Sequence, residues 1–256
     1  MFLTIKTYQV YAILTDMDTM SYSNIIREKI SQIPAGTLFG LKDFREINNS
    51  QVVTLELSRL YKKGKIKRLT KGKYFVPVKS KFGELGPSER QVLDSVIKDN
   101  GGYFAGTMAL NRIGVTTQVP SEILVRGARS TRSQKIGKLK IRFEQQGMKN
   151  VKFMKSNITD IIEALRLLRN TPDGDAKLTI DRVSSLLKDY SQSDINTLVE
   201  ASYSVRPFVR ALLGAILELK NNSAAESIKS SLNPVTTYKL GIDKKILPNK
   251  ENWGIL

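Results

Sequence analysis

The sequence predicts an α+β protein in two parts: a winged helix-turn-helix over residues 20–80, then a mixed, largely helical domain with a small sheet over residues 84–256. Three observations predict it. Apolar residues recur at helical spacing in three segments between Ser21 and Gly64, followed by two strand-like runs around a glycine. Positive charge gathers in the same place: residues 20–82 hold 14 Lys/Arg against 4 Asp/Glu, a net +10 of the chain's +17. Further on, strand-like alternation gives way at about residue 157 to a helical period.

The elements follow in order. Ser21 or Ser23 caps a first helix whose Ile26, Ile30 and Ile33 form one stripe, and Pro34 and Gly36 stop it. Leu41, Phe44 and Ile47 mark a short second helix. Asn49 or Ser50 caps a third, with Val53, Leu57 and Leu60 inward and Gly64 at its left-handed end. Two strands then flank "TKGK", with Gly72 in the turn and Pro77 confining the second strand to an edge or an end. Residues 79–87 read as a linker. Ser88 and Gln91 form a capping box for a helix carrying Val92, Leu93, Val96 and Ile97 and ended by Asn100-Gly101-Gly102. "TMALNRIG" is a short helix, and "EILVRG" and "KLKIRFE" are strands joined by a polar loop, "RGARSTRSQK". Helices follow around Ile158–Leu168, "TIDRVSSLLKDY", "SDINTLVEASY" and "RPFVRALLGAILELK", the last with Phe208, Leu212, Ala215 and Leu219 on one face. After Asn221 the chain reads as a polar tail with one strand-like patch, "TTYKL".

Composition narrows the chemistry. Apolar residues are 41% of 256, enough for a real core. With no Cys and no His, the chain can form no disulfide, thiolate nucleophile, Cys/His zinc site or imidazole base. The absence of Cys fits a cytoplasmic protein. No run approaches the length of a membrane span, and the opening residues lack the layout of a signal peptide. Residues 1–19 read as an extension of unclear role, with Met20 as an alternative start.

The charge balance points to a polyanionic partner, nucleic acid before a membrane surface. "LSRLYKKGKIKRLTKGKYFVPV", residues 57–78, holds eight positive charges and no negative one. A helix-turn-helix lays its last helix in the major groove. With Val53, Leu57 and Leu60 inward, the outward face carries Gln51, Thr54 or Leu55, Ser58 and Lys62. Gln51 can pair with adenine, and Thr54 can meet a thymine methyl. Asn49 and Ser50 offer donors at the helix start. The expected base-contacting set is Asn49, Ser50, Gln51, Thr54 and Ser58. The expected phosphate-contacting set is Arg59, Lys62, Lys63, Thr70, Lys71 and Lys73. Tyr61 and Tyr74 are expected in the core rather than stacked on bases. Arg126, Arg129, Arg132 and Lys135 in the polar loop form a candidate second basic surface, for DNA or an RNA.

"LELSRLYKKGKIKRLTKGKYFVP", "GTMALNRIGVTTQVP" at residues 106–120 and, more loosely, "SLNPVTTYKLGI" resemble the AbiEi family, antitoxins of type IV toxin–antitoxin systems. The resemblance covers residues 22–170 best. It implies an N-terminal winged helix that represses its own operon by binding duplex DNA at promoter repeats, as a dimer or cooperatively. It also implies a C-terminal domain that counteracts a nucleotidyltransferase-like toxin, with or without direct contact. By position it assigns DNA contacts to Gln51, Thr54, Ser58, Lys71 and Lys73. Asn111 stands near positions where other members often carry His, so no activity resting on His carries across.

The residues themselves offer little catalytic chemistry. "GARSTRSQKIGK" lacks the spacing of a phosphate-binding loop. "PDGDAK", residues 172–177, places Asp173 and Asp175 too close together for a nuclease signature and reads as a turn between helices. No catalytic residue, metal ligand or cofactor is expected. Two alternatives remain: a metal-dependent nuclease or nucleotide-processing domain at residues 88–220, and a regulator that senses a small molecule.

Overall fold

A computed structural model describes residues 21–81, 83–148, 156–170 and 175–256. The extension expected at residues 1–19, Met20 and Asp173 lie outside them. The fold is α+β with small sheets. The chain divides into two compact units at Val96/Ile97, inside a helix rather than in the expected 79–87 linker.

The first unit begins with α1, Tyr22–Gln32, capped by the Ser21 hydroxyl. β1, Leu38–Phe39, follows. It was not expected, because two adjacent buried residues show no alternation. The expected second helix is only a 3-10 turn, Leu41–Phe44. Its apolar residues stand three apart, which suits three residues per turn; Phe44 and Ile47 are buried and Leu41 is exposed. α2, Ser50–Lys62, is capped by Asn49, whose Oδ1 accepts the Val52 N–H at 3.1 Å. Its far end is a Schellman motif: Gly64, at φ 67°, donates to the Tyr61 carbonyl, and Lys65 donates to that of Leu60.

β2, Lys67–Thr70, and β3, Lys73–Phe75, form a hairpin, and β3 also pairs with β1 to give the order β1-β3-β2. β3 is thus the central strand and ends before Pro77. Ile26, Ile30, Phe39, Phe44, Ile47, Val53, Leu57, Leu60 and Ile66 make one core. Part of the expected linker pairs as a second hairpin, β4, Val78–Ser80, with β5, Gly83–Leu85. The capping box forms at the start of α3, Glu89–Asn100: Gln91 Oε1 accepts from the Ser88 N–H, and Ser88 Oγ from that of Gln91.

The second unit holds a four-stranded sheet in the order β6-β7-β9-β8. β6 is Tyr103–Ala105, β7 Ile123–Arg126, β8 Arg132–Ile136 and β9 Leu139–Glu144. β7 and β9 are parallel neighbours; the other pairings are antiparallel. Between β6 and β7 lies α4, Thr107–Arg112. The expected "RGARSTRSQK" loop is corrected here, since most of its second half is strand β8. That strand owes its form to pairing with β9 rather than to its own side chains, of which only Ile136 is apolar.

Helices α5, Ser156–Arg166; α6, Ala176–Leu186; α7, Gln192–Ser202; α8, Pro207–Leu219; and α9, Ala224–Ser230, share one large core. α8 is not amphipathic in the expected sense. Every residue from Ala211 to Leu217 is buried, Phe208 is half-buried and Leu219 is exposed. The tail is corrected too: Ile228, Ile242, Leu247, Trp253 and Ile255 are all buried in this core. Tyr238 and Ile255 form a parallel bridge. Among the described residues no helix is long and apolar enough to cross a membrane.

Candidate nucleic-acid interface

α2 carries two faces with different fates. Val53, Leu57 and Leu60 are sunk in the core, each worth about 1.5–3 kcal/mol of burial. Gln51, Thr54, Leu55, Arg59 and Lys62 are exposed and Ser58 is half-buried, so helical spacing lines all six along one stripe. Among the described residues no hydrogen bond engages the side chain of Gln51 or Ser58. Thr54 spends its hydroxyl proton on the Ser50 carbonyl at 2.8 Å, leaving its methyl and an oxygen lone pair. Asn49 gives its side-chain oxygen to the helix cap, leaving its amide nitrogen for a ligand. Leu55, 53% exposed, is the large apolar residue of the stripe.

One acid lies within α2, and it faces inward. Glu56 is 1% exposed; its Oε1 accepts from Arg27 Nε at 2.7 Å and its Oε2 lies 3.5 Å from Arg59 Nη1. Burial works to raise its pKa, but the hydrogen bond and charge of Arg27, with Ser23 and Arg59 behind them, hold the carboxyl below the usual glutamate range. The ion pair ties α1 to the inward side of α2.

The eight cations of residues 57–78 divide by what they touch. Arg59 lies against Glu56, Lys67 pairs with Glu84 at 3.2 Å, and Lys73 Nζ bonds Ser95 Oγ at 3.1 Å. Among the described residues Arg68 Nε reaches the Thr70 carbonyl, at 3.3 Å, and no carboxylate. Lys62, Lys63, Lys65 and Lys71 are exposed and, among the described residues, have no carboxylate partner. Of the expected phosphate set, Lys73 keeps its charge but is held by a serine hydroxyl; Lys65, outside that set, is also exposed. Lys71 and Gly72, at φ 77°, form the hairpin tip, with Thr70 half-buried beside it. The Gly72 carbonyl comes so close to Gly40 that a methyl on Gly40 would overlap it, so Gly40 seats the tip. Tyr74 stacks with Phe39 at 6.4 Å, as expected of a packed residue; Tyr61 is exposed and meets Tyr74 edge-on.

The expected second basic surface does not hold together. Arg126 is mostly buried, bonded through Nη1 to Glu163 at 2.8 Å and through Nε to Glu144 at 2.9 Å. Arg132 bonds Asn100 and stacks on Phe143 at 4.3 Å. Arg129 and Lys135 remain exposed. Around Arg126 lies a buried polar cluster. Glu163 also accepts from Arg166 and Tyr103, and Asp160 accepts from Arg112 Nε at 3.0 Å. Burial lifts the Asp160 carboxyl to about 7 in spite of Arg112. Asn111 bonds the Thr116 and Gln118 carbonyls at 3.3 and 3.4 Å, a loop-fixing role. Asp175 caps α6, its Oδ1 accepting the Leu178 N–H at 3.0 Å.

Comparison with protein families matches residues 25–195, about two thirds of the chain, to the family of unknown function DUF6088. The chain belongs to DUF6088. No curated protein matches it. The DUF6088 match takes in α2, both hairpins of the first unit and the whole four-stranded sheet of the second.

Proposed function

We propose that the first unit of this DUF6088 chain is a winged helix-turn-helix that binds duplex DNA, with α2 in the major groove and the β2–β3 hairpin as the wing on the flanking backbone. One observation carries the reading. The stripe from Gln51 to Lys62 stays open while the opposite face of α2 is sunk in the core, and Lys62, Lys63, Lys65 and Lys71, exposed and without a carboxylate partner among the described residues, sit at the end of that helix and at the hairpin tip. In this arrangement Gln51 reads an adenine edge, Thr54 and Leu55 meet apolar base surface, and Lys62, Lys63, Lys65 and Lys71 neutralise phosphates.

The resemblance to AbiEi antitoxins supplies the biological reading. The chain represses its own operon from promoter repeats, as a dimer or cooperatively, in the cytoplasm. Its second unit counteracts a nucleotidyltransferase-like toxin. No enzymatic activity is assigned.

Binding to promoter duplex, titrated against salt, tests the DNA reading. Four engaged phosphates give a slope of about −4 in log affinity against log salt. Gln51→Ala should cost about 1–3 kcal/mol of discrimination at one base pair, while Lys71→Ala should weaken all sequences alike and flatten the slope by about 1. If neither substitution alters binding, α2 is not the reading helix. The antitoxin reading has its own test: the chain should restore growth to cells expressing the toxin gene encoded beside it. Failure there removes that reading and leaves DNA binding untouched.

A further inference from the structure

The β8–β9 hairpin sets two lysines directly opposite each other. Its register pairs Lys135 with Lys140 and Ser133 with Arg142. Opposed residues of an antiparallel pair share a face about 5 Å apart, and like charges there repel. Arg142 is neutralised on this face by Glu122 at 3.5 Å and Glu144 at 3.8 Å. Lys135 and Lys140, and Lys138 in the turn between them, are exposed and have no carboxylate partner among the described residues.

The repulsion cannot be relieved by slipping the strands. Ile136, Ile141 and Phe143 are buried on the other side, and a shift of one residue would turn Ile141 and Phe143 out to water. The turn fixes the register as well. It has two residues, with Gly137 first at φ 60°, the position where a type II′ turn requires glycine. The fold thus holds three cations on one hairpin tip against their mutual repulsion, the condition that binding to closely spaced negative charge relieves. Duplex DNA offers one such charge per about 1.7 Å of axis. A lipid surface suits the tip less well, because it presents no large exposed apolar side chain for insertion: Ile136 is buried and Leu139 half-buried.

We propose that the tip of the β8–β9 hairpin is a second, sequence-independent contact for the phosphate backbone of duplex DNA, made by Lys135, Lys138 and Lys140. This goes beyond the α2 reading and stands or falls separately from it.

Lysine acetylation of the full chain, with and without a random-sequence duplex and read by peptide mass spectrometry, tests it. Lys135, Lys138 and Lys140 should lose reactivity when the duplex is added. Lys135→Gln with Lys140→Gln should flatten the salt slope of binding by about 2 and leave the Tm equal or higher, since the variant removes a repulsion. Hairpin lysines that stay fully reactive while Lys62, Lys63 and Lys71 are protected would overturn this proposal and spare the α2 reading. Protection of the hairpin alone would keep this proposal and overturn the other. Protection by phosphatidylserine vesicles or single-stranded RNA but not by the duplex would also overturn it, as would an unchanged slope in the double variant.

Discussion

Gly214→Ala turns a normally stabilising helix substitution into a damaging one, and the chain's single tryptophan reports the outcome. Gly214 lies inside α8, where alanine is favoured over glycine by about 1 kcal/mol when nothing stands in the way. Here the indole of Trp253 stands in the way. A methyl on Gly214 would sit 2.8 Å from Cε3 and closer still to Cζ3 and Cη2. The ring must shift by about 1.5 Å to restore van der Waals contact. It is 3% exposed and anchored, its N–H donating to Glu218 Oε2 at 2.9 Å. Asn249 braces the same carboxylate and also donates to the Ala215 carbonyl at 3.0 Å. Repacking around the methyl costs about 1–3 kcal/mol, and expelling the ring about 3–5. After the helix gain, the net loss is about 0–4 kcal/mol, a fall in Tm of up to roughly 15 °C for a chain of this size. Thermal melts followed by tryptophan emission measure both terms at once. Emission should be blue-shifted in the parent and red-shifted in the variant. A higher Tm with unchanged emission would refute the packing of the C-terminal segment against α8.

Gly40→Ala should push the Gly72 carbonyl and the β2–β3 tip outward, because the added methyl overlaps that backbone oxygen. The backbone of Gly40 is extended, at φ −161°, so the effect is purely one of space. The expected loss is about 1–3 kcal/mol in a thermal melt, with weaker duplex binding in the same preparation. Asp160 predicts a pH dependence of definite sign. Burial, opposed by Arg112 and reinforced by Glu163, raises its carboxyl to about 7. Between the ordinary aspartate value near 4 and about 7, the folded protein holds a proton that the unfolded chain has released. Stability therefore falls as pH rises through that window and levels off above it, by at most about 4 kcal/mol. Asp160→Asn should remove that slope, and parallel Tm–pH curves for parent and variant would contradict the assignment.

The first unit was legible where its signals are local. Asn49 capping α2, Gly64 ending it and Gly72 turning the hairpin each act on residues within four positions, and each does what its type suggests. What could not be read depends on partners far along the chain. Arg126 looks like one of four loop cations until Glu163, on a helix 37 residues later, takes it inside. The tail after Asn221 has no period, since Ile242, Leu247, Trp253 and Ile255 each fill a separate gap in a core built by other helices, and Gly214 leaves the space for one of them. The candidate interface divides in the same way. Its sign of charge is plain from composition, but which cations remain free is not. Lys73 is taken by Ser95, 22 residues on, and Lys67 by Glu84, while Lys65 and Lys71 are left open. The exposed face of α2, by contrast, was legible from the local stripe Val53, Leu57 and Leu60; what was not is the Arg27–Glu56 pair, spanning 29 residues, that ties the buried side to α1. The lysine-rich composition sets the sign of the proposed partner; the acids that pair with some of those cations, and the hydroxyl that holds another, narrow where on the surface it would bind.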